Sequence, residues 1–536
     1  MYHSDREEGP VVGPVPHRIE FENETINFHE CAIKFEYSDR MLLNIVEIYQ
    51  DVTFGKNYSK RCSGILNPQM GEYFSNGKKI MKVNIHFNGS RFGLLPEGFD
   101  KGFEEYKLSI AIDGNIKISA NHYPGVVRAL DTLSQLIVKD EKHQNEFFIE
   151  YVPINIHDLP DYAYRGVLLD TSREYFFPET IKQMLDGMML ARLNVFHWHF
   201  IDSDSIPMYS ESYPNMTDYT AFSKREIYTP EMVKDIVNYA KIRGIKVVPE
   251  FEGPGHLNAL GHYPEFADLI ACYSEPSVDA RSHGAPPNAP IDPTNNKTYE
   301  FLDNFMKDMR KSFDSEYWHL GGDQVEISCW NNLESVKEYI KNGSSEIKDL
   351  QQIYVDKERE IVSKIDSKIQ AGYWYNLDRL NYKKGDILQY WGTISNMKRE
   401  ISSEPNNMFV LSPHDAYYLD CGYPDQFGKR SWCHQMSSWK TVWNLNPDSY
   451  NANKNVIGGE VCAWSEMNNE FDFLTKIFPR SGAMSYKYWN TGQPSMGGTQ
   501  HEILMRLQYR LKAYGVPTEK ISMRYCEEHT HHCFGK

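Results

Sequence analysis

Between Tyr106 and Ser119, apolar and polar side chains alternate on either side of Asp113-Gly114, the period and turn pair of a β-hairpin. The spacing then changes. Val126, Ala129, Leu130, Leu133 and Leu136 recur at intervals of three and four, which predicts a helix over 123–138. Residues 1–18 read as a flexible lead. From Arg18 to about Ile156 the pattern is short strands joined by turns and then that one helix, so 19–158 reads as a small α+β domain without an evident catalytic cluster.

From about Tyr162 the rhythm becomes strand, loop, helix, repeated. Gly166–Asp170 reads as a buried strand. Pro178 then opens a helix whose apolar face is Ile181, Met184, Leu185, Met188 and Met189. Asn194–Ile201 is the next strand. Thr229 caps a helix with Pro230 at its first position and Gly244 at its end. Ile245–Glu250, Tyr317–Gly321, Lys368–Trp374, Ile387–Trp391, Met408–Leu411 and Val456–Trp464 complete the series. Eight strands, most separated by helices, over roughly 340 residues predict an α/β chain: a (β/α)8 TIM barrel from 159, with a C-terminal extension to 536.

Charge and composition narrow the partners. A net charge of −16 has the wrong sign for tracking phosphate backbones, which argues against nucleic acid. No run of about 18 apolar residues occurs, so no membrane span is expected. Aromatics at 13% fit core packing and equally the walls of a sugar site. N-x-S/T sequons stand at Asn23, Asn57, Asn88, Asn215, Asn296 and Asn342, a mild excess for so Asn-rich a chain. Met1 leads into a polar stretch, and the chain reads as a mature or recombinant form whose export signal has been removed.

Active residues of such barrels sit at the C-terminal strand ends. Here those ends carry Asp170 to Arg173, His197 to Asp202, Glu250 to His256, His319 to Gln324, Trp374, Trp391, Tyr418 to Asp420, and Trp464 to Glu466. Carboxylates, one arginine, histidines and three tryptophans suit an uncharged polyol in an aromatic pocket.

Arg165-Gly-Val-Leu-Leu-Asp-Thr-Ser-Arg173, His319-Leu-Gly-Gly-Asp323 and Gly459-Glu-Val-Cys-Ala-Trp464-Ser-Glu466, in this order, resemble the signatures of the β-N-acetylhexosaminidases of glycoside hydrolase family 20. The stretch Tyr123 to Leu136 resembles that family's first domain, and the likeness covers about 12 to 530. The resemblance implies exo-hydrolysis of terminal β-linked N-acetylglucosamine or N-acetylgalactosamine through an oxazolinium ion formed by the substrate's own acetamido group. It makes Asp323 the carboxylate that orients that group and position 324 the acid/base. It implies that Arg173 and Glu466 grip sugar hydroxyls, that Trp374, Trp391 and Trp464 wall the acetamido pocket, and that Tyr418 hydrogen-bonds the acetamido oxygen. Asp202 and His256 resemble the pair that tunes the acid, and Asp420 would meet the O6 side. Subunits of the family that accept sulfated sugars carry Asn then Arg there; Asp420-Cys421 points to neutral sugar ends. No cofactor or metal is implied. A glycan or chito-oligosaccharide is the expected partner, a homodimer is compatible, and lysosome and extracellular space both fit.

Gln324 departs from the family pattern, because an amide cannot donate the proton of a carboxylic acid. One isosteric change in an otherwise complete site resembles a deliberate Glu-to-Gln substitution; a natural sugar-binding protein without catalysis is the alternative. The His197-x-His199 pair also resembles an amidohydrolase metal pair, but the later strand ends offer tryptophans where that site needs further ligands, and no stoichiometric zinc is expected. Turn, salt-bridge or packing roles are the plainer readings of Asp323, Arg173 and the tryptophans taken singly. The resemblance supports disulfides Cys272–Cys329 and Cys526–Cys533, the latter set against a metal loop with His529, His531 and His532. Cys31–Cys62 in the first domain and Cys421–Cys433, on spacing alone, complete the set and leave Cys462 as a buried thiol.

Overall fold

The computed structural model describes residues 9–63, 80–89, 94–143, 145–273, 288–343, 345–375, 380–424, 428–429, 433, 435–492 and 497–528, with the backbone alone at 497–499 and 527–528. The first sheet contains β1 (Arg18–His29), β2 (Ile33–Tyr37), β3 (Met81–Phe87), β4 (Tyr106–Ile110), β5 (Asn115–Ala120), β6 (Val138–Lys139) and β7 (Glu146–Asp158). Their order is β1-β7-β4-β5-β3-β2, with β6 also on β7. The predicted hairpin is β4–β5, with Gly114 at φ +91° in its turn. The predicted helix spans Tyr123–Leu136 and is buried on nearly every side, because it lies between this sheet and the barrel.

Three expectations for this region need correction. The strands are not all short: β1 has 12 residues and β7 has 13, and irregular registers between Phe21 and Ile26 let the long pair bend. There is more than one helix. Leu43–Phe54 is helical and buries Ile45, Val46, Tyr49 and Phe54, so tertiary packing overrides the strand preference of its β-branched residues. Nor is the lead flexible as far as residue 18. Val12 is buried, Gly13 exchanges hydrogen bonds with the Gln135 amide, and His17 bridges Asp158 and Asp161. Residues 1–8 lie outside the described residues.

The second sheet closes into a parallel barrel in the order β10-β11-β12-β13-β14-β15-β8-β9. Its strands are β8 (Tyr164–Asp170), β9 (Val195–His199), β10 (Lys246–Glu250), β11 (Tyr317–His319), β12 (Gln370–Trp374), β13 (Ile387–Tyr390), β14 (Met408–Leu411) and β15 (Val456–Ala463). Chain α/β and (β/α)8, preceded by the small α+β sheet, is therefore the architecture. Helix Pro178–Leu190 turns Ile181, Met184, Leu185, Met188 and Met189 inward. Helix Pro230–Ile242 starts where Thr229 accepts from Met232 N–H, and Gly244 leaves it at φ +73°. At the N-terminal end of the barrel Phe99 plugs the floor against Tyr164 and Tyr317, while Lys246 donates to the Gly98 carbonyl at 2.8 Å. Helices Arg480–Trp489 and Gly497–Tyr514 follow β15. Among the described residues no helix is long and apolar enough to cross a membrane.

Disulfides join Cys31–Cys62, Cys272–Cys329 and Cys421–Cys433, and Cys462 is a buried free thiol. Cys533 lies outside the described residues, and the Cys526–Cys533 pairing with it.

Candidate active site

A cavity of about 540 Å³, counted to its open mouth, lies at the C-terminal end of the barrel and is lined by residues from seven strand ends. Arg173, Asp202, His256, Asp323, Gln324, Trp391, Tyr418, Asp420, Trp464 and Glu466 all reach it. Trp374 does not line it; the ring sits behind Trp464, 5.8 Å between centroids, with its indole N–H given to Glu250 at 2.7 Å. Two lining residues, His199 and Glu252, were not among the predicted site residues. Their signal was available: each follows an inward-facing residue, His197 and Glu250, by two positions, so the strand period aims both at the mouth.

Arg173 is the hub of the floor. Its guanidinium meets Asp202 at 2.7 Å, Asp170 at 3.2 Å and Asp204 at 3.4 Å, and lies over the Trp464 ring at 5.3 Å. Asp202 turns its other oxygen to His256 Nδ1 at 3.0 Å, and His256 Nε2 stands 3.8 Å from Asp323. Burial works against charge on His256, but Asp202, Asp323 and Glu252 prevail and push it up to about 10. Asp202 is held below the usual carboxylate range: burial raises it, and Arg173 and His256 more than offset that. Asp323 is held up, chiefly by burial, despite His256. Burial and then Asp323 push Glu252 up to about 8.

The turn that presents Asp323 and Gln324 is left-handed for most of its length. Gly321, Gly322 and Gln324 have φ of +56°, +95° and +48°. A side chain at Gly321 would also collide with the Glu252 carboxylate, 2.3 Å from its would-be Cβ. Two backbone contacts and an amide pin the turn: Trp374 N–H to the Gly321 carbonyl at 3.0 Å, Gly321 N–H to His319 Nδ1 at 3.2 Å, and Gln351 to the Gly322 carbonyl at 2.9 Å. Gln324 and His256 are non-glycine residues at positive φ, a conformation that costs about 1–3 kcal/mol and persists where the surroundings enforce it. Asp323 is half-buried and Gln324 exposed at the mouth.

Among the described residues, four buried polar atoms of the cavity lining have no hydrogen-bond partner: Glu252 Oε1, His256 Nε2, Asp420 Oδ1 and Trp464 Nε1. Such orphans are uncommon in finished interiors and point to a polar ligand that completes them. Groups of metal-ligating type also occur here, His197 with Glu250 and His319, and His199 with Glu250 and Glu252. In the first group Glu250 stands 3.1 Å from His197 and 2.9 Å from His319, and in the second His199 stands 3.7 Å from Glu252.

The model of the glycosyl hydrolase family 20 catalytic domain matches residues 162–492. This chain belongs to that family. A second model, described as beta-acetyl hexosaminidase like, matches the family 20 chain's first domain over 12–136. Beta-hexosaminidase 1 of Coccidioides posadasii is 30% identical over 499 residues, covering 85% of this chain and 82% of that one. The chitooligosaccharidolytic beta-N-acetylglucosaminidase of Ostrinia furnacalis is 29% identical, covering 85% and 78%. Among solved structures, the beta-N-acetylhexosaminidase of Bacteroides fragilis superposes with a TM-score of 0.73 at 20% identity, over 95% of this chain and 97% of that one, a likeness of fold. The family 20 chain is thus a glycoside hydrolase by descent, and its cavity lies where that fold carries out its chemistry.

Proposed function

We propose that this fold removes terminal non-reducing β-linked N-acetylglucosamine or N-acetylgalactosamine with retention, and that Gln324 leaves the present form strongly impaired. The observation that carries the reading is the placement of Asp323 and Gln324 at one strand end, over a cavity with an arginine floor and indole walls. Asp323 accepts the acetamido N–H and stabilises the positive charge that develops there. The acetamido oxygen attacks the anomeric carbon, the bond from that carbon to the glycosidic oxygen breaks, and an oxazolinium ion results. A carboxylic acid at position 324 gives its proton to the departing oxygen, then takes one from the water that opens the ring. An amide has no such proton to give.

Arg173 and Glu466 receive hydroxyls at the floor, and Trp391 and Trp464, backed by Trp374, flank the sugar. Tyr418 donates to the acetamido oxygen, and Asp420 meets the O6 side. His256, between Asp202 and Asp323, tunes the acid/base position. The relatives named for chito-oligosaccharides make chitobiose the first ligand to test. The disulfides support an oxidising setting, lysosomal or extracellular; nucleic acid does not suit the acidic chain.

A second reading, a natural sugar-binding protein without catalysis, has Gln324 itself in its favour. The completeness of the remaining site favours a deliberate Glu-to-Gln substitution. A complex with chitobiose tests the reading: the acetamido group is expected over Asp323 and the hydroxyls on Arg173. A sugar bound away from this cavity, or no binding, would contradict it.

A further inference from the structure

Beneath the sugar cavity a belt of buried polar side chains crosses the barrel, drawing on every strand. Tyr164 of β8 donates to Glu460 of β15 at 2.5 Å. Glu460 also meets His197 Nδ1 of β9 at 2.8 Å and accepts from Gln389 of β13 at 2.7 Å. Gln389 donates onward to Ser412, just past β14, at 2.9 Å. His197 Nε2 stands 3.1 Å from Glu250 Oε2 on β10. Glu250 Oε1 accepts the indole N–H of Trp374 on β12 at 2.7 Å and lies 2.9 Å from His319 Nδ1 on β11. Glu460 and Glu250 prevail over burial and push His197 up to about 9, while burial holds His319 down.

A polar belt can simply fill a barrel, and for Tyr164, Gln389 and Glu460 nothing argues for more. Glu250 differs, because two of its partners lead directly into the turn that carries Asp323. Trp374 holds that turn by its backbone N–H and backs Trp464 with its ring. His319 faces the Gly321 N–H with the same nitrogen that faces Glu250. One ring nitrogen cannot donate to the carboxylate and accept from the amide at once, and a proton drawn onto it by Glu250 would release Gly321, so the hold of Glu250 on the turn runs through Trp374.

We infer that Glu250 is a positioning residue of the hydrolysis: it fixes Trp374, and through it the Gly321–Gln324 turn that presents Asp323 and residue 324 to the sugar. The inference rests on the proposed reaction. It concerns orientation and field at a distance, since Glu250 does not reach the cavity.

Two matched substitutions test it, each made in the Gln324→Glu form so that turnover can be read. Glu250→Gln keeps the size and an acceptor for the Trp374 indole but removes the charge. Glu460→Gln is the same change in the same belt, away from the turn. Glu250→Gln is expected to lower kcat on 4-nitrophenyl N-acetylglucosaminide about a hundredfold, the scale of a small misplacement of reacting groups, with KM moved by no more than about threefold. It should also move the acidic limb of the pH profile to lower pH, because a negative charge that holds Asp323 up has gone. Glu460→Gln should leave both nearly unchanged even if it lowers the thermal midpoint as much. Should Glu250→Gln fail to fold, Trp374→Phe removes the same hydrogen bond from its other end, with an expected loss of about tenfold in kcat. Equal kcat changes in the two glutamine variants, or an unchanged kcat in Trp374→Phe, would overturn the inference. Chitobiose affinity of the unaltered chain is measured alongside. No binding there removes the proposed function itself; intact binding with an indifferent Glu250 removes only the positioning role.

Discussion

The junction between the first sheet and the barrel, and the cavity at the other end of the barrel strands, both bury many charges and treat them in opposite ways. At the junction Arg165 grips both oxygens of Glu104 at 2.7 and 2.6 Å, and Arg128 shares that carboxylate at 2.7 Å. Arg192 and Arg510 take Asp131 from two sides, and Trp489 lies within about 5 Å of the Arg165 and Arg192 guanidiniums. Burial would raise Glu104 and Asp131, but the arginines hold both below the usual carboxylate range. At the cavity Asp170, Asp202, Asp204, Glu252, Asp323 and Glu466 crowd around Arg173, His199 and His256. Burial, and then neighbouring carboxylates, push Glu252 up to about 8; burial pushes Asp204 up to about 7 against the pull of Arg173. Paired charges cement a domain interface. Crowded ones persist where a ligand is to supply the missing partners.

The contrast breaks most sharply under truncation. Arg165→Ala leaves Glu104 buried with one partner fewer and should cost about 3–5 kcal/mol of stability, with little change in sugar affinity, as chemical denaturation and calorimetry would report. If affinity fell as much as stability, junction and cavity would not be separable. Glu252→Gln should do the reverse. Glu252 keeps its proton in the folded state up to about pH 8, against an ordinary value of 4.5. Its contribution to stability is therefore whole below pH 4.5 and is lost as pH rises towards 8. Above pH 8 the substitution should stabilise the protein by on the order of 2 kcal/mol and flatten the alkaline fall of the thermal midpoint. The junction carboxylates, with lowered values, supply stability that disappears only as pH falls, so the acidic limb should stay. An unaltered alkaline limb would show that Glu252 is ionised.

Gln324→Gly sharpens the same comparison through the backbone. Glycine adopts a positive φ without the Cβ penalty, so about 1 kcal/mol of stability should be gained; a loss would mean that the turn carries no strain. The smallest expected effect concerns charge in the ligand. With Asp420 and Glu466 at one side of the cavity, a 6-sulfated sugar should bind on the order of tenfold more weakly than its neutral analogue, and equal affinities would displace Asp420 from the O6 side.

Much of this was legible in the sequence for local reasons. Asp113-Gly114, Thr229-Pro230 and Pro178 each fix their own turn or helix start, and eight apolar runs fix eight strands. The site residues follow once those strand ends converge. What escaped depended on distant partners. His17 finds Asp158 and Asp161 more than a hundred positions away, so the docking of residues 9–17 leaves no local trace. The helix Leu43–Phe54 is rich in β-branched residues and is decided by its packing. The left-handed turn at Gln324 is enforced by Trp374, His319, Gln351 and Glu252, brought there by three barrel strand ends and the helix Leu350–Ile365.

The central claim is that residue 324 occupies the place of the acid, and Gln324→Glu on two substrates tests it most directly. A sugar aglycone leaves as an alkoxide and needs the proton, whereas nitrophenolate departs readily without it. Restoring the acid should therefore raise chitobiose hydrolysis by about 10²–10⁴-fold, and 4-nitrophenyl N-acetylglucosaminide hydrolysis by less, at comparable ligand affinity. Full chitobiose turnover by the Gln324 form, or equal gains on both substrates, would contradict the account.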